Sequence, residues 1–289
     1  MRKFIRGAIP VSEDRFQHAE GPIWDVENSR LLLVDMLAGN LVSFDFADGS
    51  RSPRASVVHI DDVLAFIRPR RGGGWIAVSA DSVLTLNAAF EVVRRRQILH
   101  DPRIRFNEGG CDVNGFLYAG TMAYDATPGA GALYRFGPSL IPDVIVSDVT
   151  VSNGFASRPN SADFYYVDSA TRRIDILTLG VGLPKRQPFV ALETDAGYPD
   201  GLTVDTDGGV WVALWSAGRV RRYNSSGALT HEVGLPTPQV TSCAFGGAEN
   251  STLFITTSQI ETAYEDALAG AVFSLQTDFQ GIAVERSIV

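Results

Sequence analysis

The sequence predicts an all-β chain folded as a six-bladed β-propeller. Three observations carry this expectation. A similar unit recurs six times at intervals of 42 to 47 residues. Each unit holds two or three short runs rich in aromatic and β-branched residues. Gly, Asp, Asn and Pro punctuate the runs, as hairpin turns require.

The heads of the six units are Glu20 (before GPIW), Ala65 (FIRP), Asn107 (EGGC), Asn153 (GFAS), Asp200 (GLTV) and Ser242 (CAFG). A short apolar run follows each head. The second runs read LLLVDM, GWIAVSA, GFLYAGTM, FYYVDSA, GVWVALW and LFITTSQ. The third read NLVSFDF, SVLTLN, GALYRF, RIDILTL, RVRRYN and AVFSL. Asp48–Gly49, Asn114–Gly115 and Asp207–Gly208 are typical hairpin pairs. TDGG after Asp205 has a faint likeness to an EF-hand loop but lacks the later ligands and the flanking helices, so it reads as a hairpin turn. No amphipathic helix of useful length is present, and YEDALAG at 264–270 is too short. Units of about 40 to 50 residues with about four strands each are propeller blades. Six of them use up the 289 residues, so a single domain over 1–289 is expected.

Composition bounds the function. A formal net charge of −8 and a pI near 5.0 argue against nucleic acid and anionic membrane surfaces as partners. No apolar run reaches the length of a membrane span, and no signal-peptide h-region follows the basic N-terminus, so a cytoplasmic location is expected. Cys111 and Cys243 are too few and too far apart for a disulfide framework or a thiolate zinc site and read as buried thiols. There is no G-x-S-x-G, H-E-x-x-H, P-loop or G-x-G-x-x-G. The four histidines show no ligand spacing; His18, near Glu20, could line the mouth but reads more simply as an exposed loop residue.

In a propeller the innermost strand of each blade runs along the central channel, so equivalent heads converge at one mouth. Glu20, Asn153, Asp200 and Asn107 would then face the axis. The Gly after each would let the backbone pass closely and leave room for something bound. Two carboxylates with amide oxygens form a hard, oxygen-only set that suits calcium, magnesium or manganese and can hold zinc or ferrous iron. A cation would also offset the repulsion between two buried carboxylates. Three ligands leave coordination positions open for water and substrate. Each Asn-Gly or Asp-Gly taken alone is more simply a turn. Their recurrence in register is what points to a site.

AEGPIWD (19–25), RFNEGGCDVNGFLYAGTM (105–122), SNGFA (152–156), PDGLTVDTDGGVWVALWSAGRV (199–220) and TSCAFGG (241–247) together resemble the regucalcin/gluconolactonase family, or senescence marker proteins. The resemblance implies a six-bladed propeller that hydrolyses sugar lactones with one divalent metal (calcium, zinc, manganese or iron). It puts the metal ligands on Glu20, Asn153 and Asp200, with Asp200 also the general base, and substrate contacts on Arg105 and Asn107. Two positions depart from the family pattern: Glu108 stands where Asp is usual, and Tyr124–Asp125 where acidic residues follow GTMA. Both are expected to tune the choice of sugar, with Glu108 reaching into the pocket, and Tyr124 and Trp215 are candidate pocket walls. Asp112 and Asp168 are expected to tie blades together through backbone hydrogen bonds.

The expected activity is hydrolysis of a sugar lactone to the aldonic acid by a monomer. Two alternatives stand beside it: a metal-dependent esterase or phosphotriesterase on the same fold, and a non-catalytic calcium-binding propeller. The last would have no need of Arg105 and Asn107 at the mouth.

Overall fold

In the computed structural model, which describes residues 3–47, 49, 53–180, 184–262 and 265–289, six antiparallel sheets follow one another around a ring. Asp48 of the expected Asp48–Gly49 turn and Tyr264 of the 264–270 stretch lie outside the described residues. The innermost strands are Ala19–Asp25, Leu64–Pro69, Ile104–Cys111, Ser152–Ser157, Tyr198–Val204 and Val240–Gly246, one per blade. The second strands, Arg30–Asp35, Trp75–Ser79, Leu117–Ala123, Asp163–Asp168, Val210–Trp215 and Thr252–Thr257, match the six expected runs. Each inner strand contacts that of the next blade, and the sixth contacts the first.

The ring is closed by the N-terminus. Ile9–Pro10 pairs antiparallel with Phe273–Ser274 and supplies the outermost strand of the sixth blade. Blade six therefore holds three strands from the end of the chain and one from its start. Lys3–Ile5 adds a parallel fifth strand to blade five, beside Leu229–Gly234.

The apolar core is divided into six clusters, each shared by two neighbouring blades. In one, Trp24, Leu31 and Phe44 of blade one pack on Phe254 and Val272 of blade six, across the closure. Trp24 and Phe254 stack with ring centroids 5.7 Å apart. Because both faces of every blade are covered, second strands such as VWVALW lack polar alternation. The outermost strands do face solvent: Val92–Gln97, with its three arginines, is mostly exposed.

Every inner strand carries one residue more than its partner at or beside the head position. The pairing slips between Glu20 and Ile23, Leu64 and Phe66, Phe106 and Gly109, Ser152 and Phe155, Pro199 and Leu202, and Val240 and Ser242. These are β-bulges, which re-aim side chains at a strand end. Asn153–Gly154 and Asp200–Gly201 thus lie inside strands and are not turns. Asn114–Gly115 and Asp207–Gly208 are turns, with Gly115 and Gly208 at positive φ (90° and 78°).

Of the two purposes expected for the glycine after the head, the structure bears out close passage of the backbone but not room for something bound. A Cβ on Gly154 would stand 2.7 Å from the Asp200 carbonyl oxygen, and one on Gly201 would stand 2.1 Å from Ser242 Oγ. The space is taken by the next blade, and glycine is what lets the inner strands converge.

Asp112 also corrects an expectation. It closes a turn within its own blade, accepting from Asn114 N and Phe116 N at 2.9 Å, and does not link blades. Asp205 plays the same part in blade five and also holds Trp211 Nε1 (2.8 Å) and Arg222 Nε (2.6 Å). Asp168 does bind the loop arriving from the preceding blade, through Thr150 N and Val151 N. Among the described residues no helix is long and apolar enough to cross a membrane.

Candidate metal and substrate site

The bulges bring Glu20, Arg105, Asn107, Asn153 and Asp200 together at one end of the channel, all buried. Their orientations are fixed by a directional chain of hydrogen bonds. Arg105 Nη1 donates to Asn107 Oδ1 (2.6 Å), and Asn107 Nδ2 donates to Asn153 Oδ1 and to the Ser152 carbonyl (2.8 Å each). Asn153 Nδ2 donates to Ser169 Oγ (2.8 Å), which spends its proton on the Pro199 carbonyl (2.6 Å). Because a carbonyl can only accept, the sense of every bond in the chain follows, and Asn153 Oδ1 is left with a spare lone pair. Ser169 was not foreseen. It lies just after the second strand of blade four, in the run FYYVDSA, with no local signal of its role.

The carboxylates repel. Burial, then Glu108, pushes the Glu20 carboxyl well above the usual range, against the pull of the Gly21 amide and of Arg105. Burial, then Glu20, then Glu108 does the same to Asp200. In return, both carboxylates act on Arg105, whose guanidinium is lowered chiefly by burial. Two buried acids that disfavour their own charge, beside a fixed amide oxygen, are the chemistry that a hard divalent cation satisfies. The expected ligands fit such an ion by donor type. Among the described residues no three His, Cys, Asp or Glu side chains form a ligand group, so Asn153 would have to be the third protein ligand.

The remaining predicted residues divide between two levels. Tyr124 is 53% exposed at the mouth, its ring 5.7 Å from the Arg105 guanidinium carbon. Both N–H bonds of Asn107 are engaged within the protein, whereas Arg105 Nε has no partner. Glu108, the other residue of the same bulge, lines an axial cavity of about 130 Å³ together with Arg68, Ser242, Cys243 and Ile282–Glu285. Burial pushes its carboxyl up to about 7, opposed by Arg68, and its Oε2 has no partner. The tail beneath this cavity is stitched to the blades through Ile282 N–Val204 O, Ser287 N–Pro69 O and Ile288 N–Gly115 O.

His18 is half-buried at the mouth, not an exposed loop residue. Its ring meets Trp215 edge-on at 5.9 Å, and burial and the Arg105 charge push its pKa down to about 3. Cys111 and Cys243 are free and buried, as expected.

Residues 18–259 match the model of the SMP-30/gluconolactonase/LRE-like region. Regucalcin of Danio rerio is 30% identical over 280 residues, with 92% of each chain covered. A putative sugar lactone lactonase, YvrE, of Bacillus subtilis is 31% identical over 95% of this chain and 96% of its own. The solved structure of a calcium-binding protein, regucalcin, of Agrobacterium tumefaciens superposes with a TM-score of 0.89 at 23% identity over the whole of both chains. That last likeness is one of fold.

Proposed function

The chain belongs to the SMP-30/gluconolactonase/LRE-like family, and from that premise we propose that it hydrolyses a sugar lactone to the aldonic acid with the help of one divalent cation. The observation that carries the reading is the relay from Arg105 through Asn107 to Asn153, which sets a guanidinium with an unused Nε–H beside two buried carboxylates. A propeller that merely bound calcium would gain nothing from that guanidinium. The name of the Bacillus subtilis relative supports the same substrate class.

Glu20, Asn153 and Asp200 are the residues that would hold the cation. When bound, a divalent ion supplies positive charge for the lactone carbonyl oxygen and lowers the pKa of water. The protein's own residues do the rest. Asp200 takes a proton from the attacking water as its oxygen adds to the carbonyl carbon. The ring C–O bond then breaks, and the same proton passes to the departing alkoxide. Arg105 donates to a substrate oxygen through the face that Asn107 leaves free and holds the ring in line for attack. Asn107 keeps Arg105 and Asn153 in register and has one lone pair on Oδ1 to spare for the substrate.

Acid release from gluconolactone, xylonolactone and galactonolactone by chelator-stripped protein, with each divalent ion added back in turn, tests the proposal. Activity restored by a metal and abolished in Asp200→Ala is the expected result. A folded, metal-binding protein that opens none of these lactones with any ion refutes it.

A further inference from the structure

We infer that His18 contacts the substrate and selects lactones that carry hydroxyl groups, its Nε2 accepting a hydrogen bond from one of them beside Trp215. The inference rests on the lactonase reading and names the chemical class of its substrate.

His18 Nδ1 lies 2.8 Å from Ser258 Oγ. That oxygen already accepts from Ile260 N (3.0 Å) and faces the Gln17 carbonyl at 3.2 Å. All three contacts of Ser258 Oγ hold a proton only if the hydroxyl donates to the Gln17 carbonyl, which can only accept, and the bond to His18 is then donated by the ring. The ring proton is therefore on Nδ1, and Nε2 is left as an acceptor with no partner among the described residues.

The ring is also held rigidly. The backbone amides of Gln17 and His18 both donate to Asp35, at 3.2 and 2.8 Å, and His18 bridges to Ser258 across the junction of blades one and six. Trp215 of blade five closes one side at 5.9 Å. Arg105, close enough for its charge to act on His18, presents only donors, and its buried Nε is unused. A mouth with a fixed donor and a fixed acceptor fits a group that is both acceptor and donor, which is what a hydroxyl is. An unsubstituted lactone offers oxygen to Arg105 but no proton to His18. A site built to hydrogen-bond a hydroxyl discriminates strongly against the analogue that lacks it.

The test compares kcat/KM on D-glucono-δ-lactone with kcat/KM on δ-valerolactone, the same ring without hydroxyls, in wild type, His18→Phe and His18→Gln. His18→Phe is expected to lower the preference for the hydroxylated lactone by about 10- to 100-fold, the size of one lost hydrogen bond in a desolvated site. His18→Gln, which puts an acceptor back at similar reach, is expected to recover part of it. A preference unchanged in His18→Phe, or restored no better by Gln than by Phe, overturns the inference. If wild type opens neither lactone, the lactonase reading has failed, and calorimetric binding of gluconate decides on His18 alone. At least tenfold weaker binding in His18→Phe supports the contact, whereas equal binding, or none to wild type, overturns it.

Discussion

Replacing Glu108 by Gln should make the metal-free protein more stable, although Glu108 lines the cavity beside the candidate site. Glu108 is 5% exposed, its Oε2 has no partner, and burial raises its carboxyl from 4.5 to about 7 against the pull of Arg68. The folded-state value lies above the ordinary one, so the folded protein holds the proton more tightly than the unfolded chain. The penalty is therefore absent below about pH 4.5, grows as pH rises from 4.5 to 7, and is complete above that. At about 1.4 kcal/mol per pH unit, an ionised Glu108 costs about 3 kcal/mol at pH 8 and about 1 kcal/mol at pH 5. Gln has the same shape and no charge. An unfolding entropy of about 2 cal/mol/K per residue over the whole chain converts 3 kcal/mol into about 5 °C. Thermal unfolding by circular dichroism in chelator, at unit steps from pH 5 to pH 8, reads the effect directly. A Glu108→Gln protein that melts lower than wild type at pH 8 refutes the reasoning. So does a gain of equal size at pH 5 and pH 8, because the source would then not be ionisation.

Three further outcomes are expected. A divalent ion at about a hundred times its dissociation constant should stabilise the protein by about 2.7 kcal/mol, or about 4 to 5 °C. The double variant Glu20→Gln, Asp200→Asn should lose that response while melting higher than wild type in chelator, and an undiminished response would remove these residues from the ligand set. Gly201→Ala, whose Cβ would fall 2.1 Å from Ser242 Oγ, should cost about 1 to 3 kcal/mol and lower the melting temperature by about 2 to 5 °C. Gly180→Ala, with open space around it, is the control, and equal melting of the two would discount the crowding at the axis. Deleting residues 280–289 removes the tail under the axial cavity and takes Val289 from the core shared by blades two and three. Melting should fall by several degrees with KM for the lactone unchanged, and an unaltered melt would show that the tail contributes nothing to the ring.

What could be read from the chain before its structure was what repeats locally. The second strands of all six blades were legible because each is rich in apolar, aromatic or β-branched residues, and because they recur at similar spacing. Pairings between distant segments were not. Ile9–Pro10 completes the sheet of Phe273–Gln276, but two residues with no pattern of their own cannot announce a partner at the other end of the chain. The same holds for Ser258, which meets His18 across the closure, and for Ser169, whose carbonyl acceptor belongs to the next blade. The separation of Asn107 from Glu108 was also hidden. Adjacent in sequence, they serve different levels of the channel, Asn107 the mouth relay and Glu108 the cavity, as a bulge allows.

The oxygen-then-glycine pair shows most clearly how a local signal can be sound in its place and only half right in its reason. Asn153–Gly154 and Asp200–Gly201 have the composition of turns, and only their recurrence in register argued for the axis. The physical origin is the bulge. The inner strands converge on a narrow channel, and at the bulges of blades four and five the backbone comes against the next blade. At Gly154 and Gly201 a Cβ would strike the neighbouring strand. The residue before each glycine is turned inward by the same slip, into a space where burial would be costly for a carboxylate or amide left without a partner. Asn153 meets that cost with Ser169 and Asn107. Glu20 has the adjacent Gly21 amide at 3.0 Å, and Asp200 that of Gly201, yet both carboxyls remain well above their usual range. A fold that needed only close-packed inner strands could place small apolar residues at these heads, as it does with Ala65 in blade two. Carboxylates kept at the crowded axis at the expense of stability are what the proposed cation site would require.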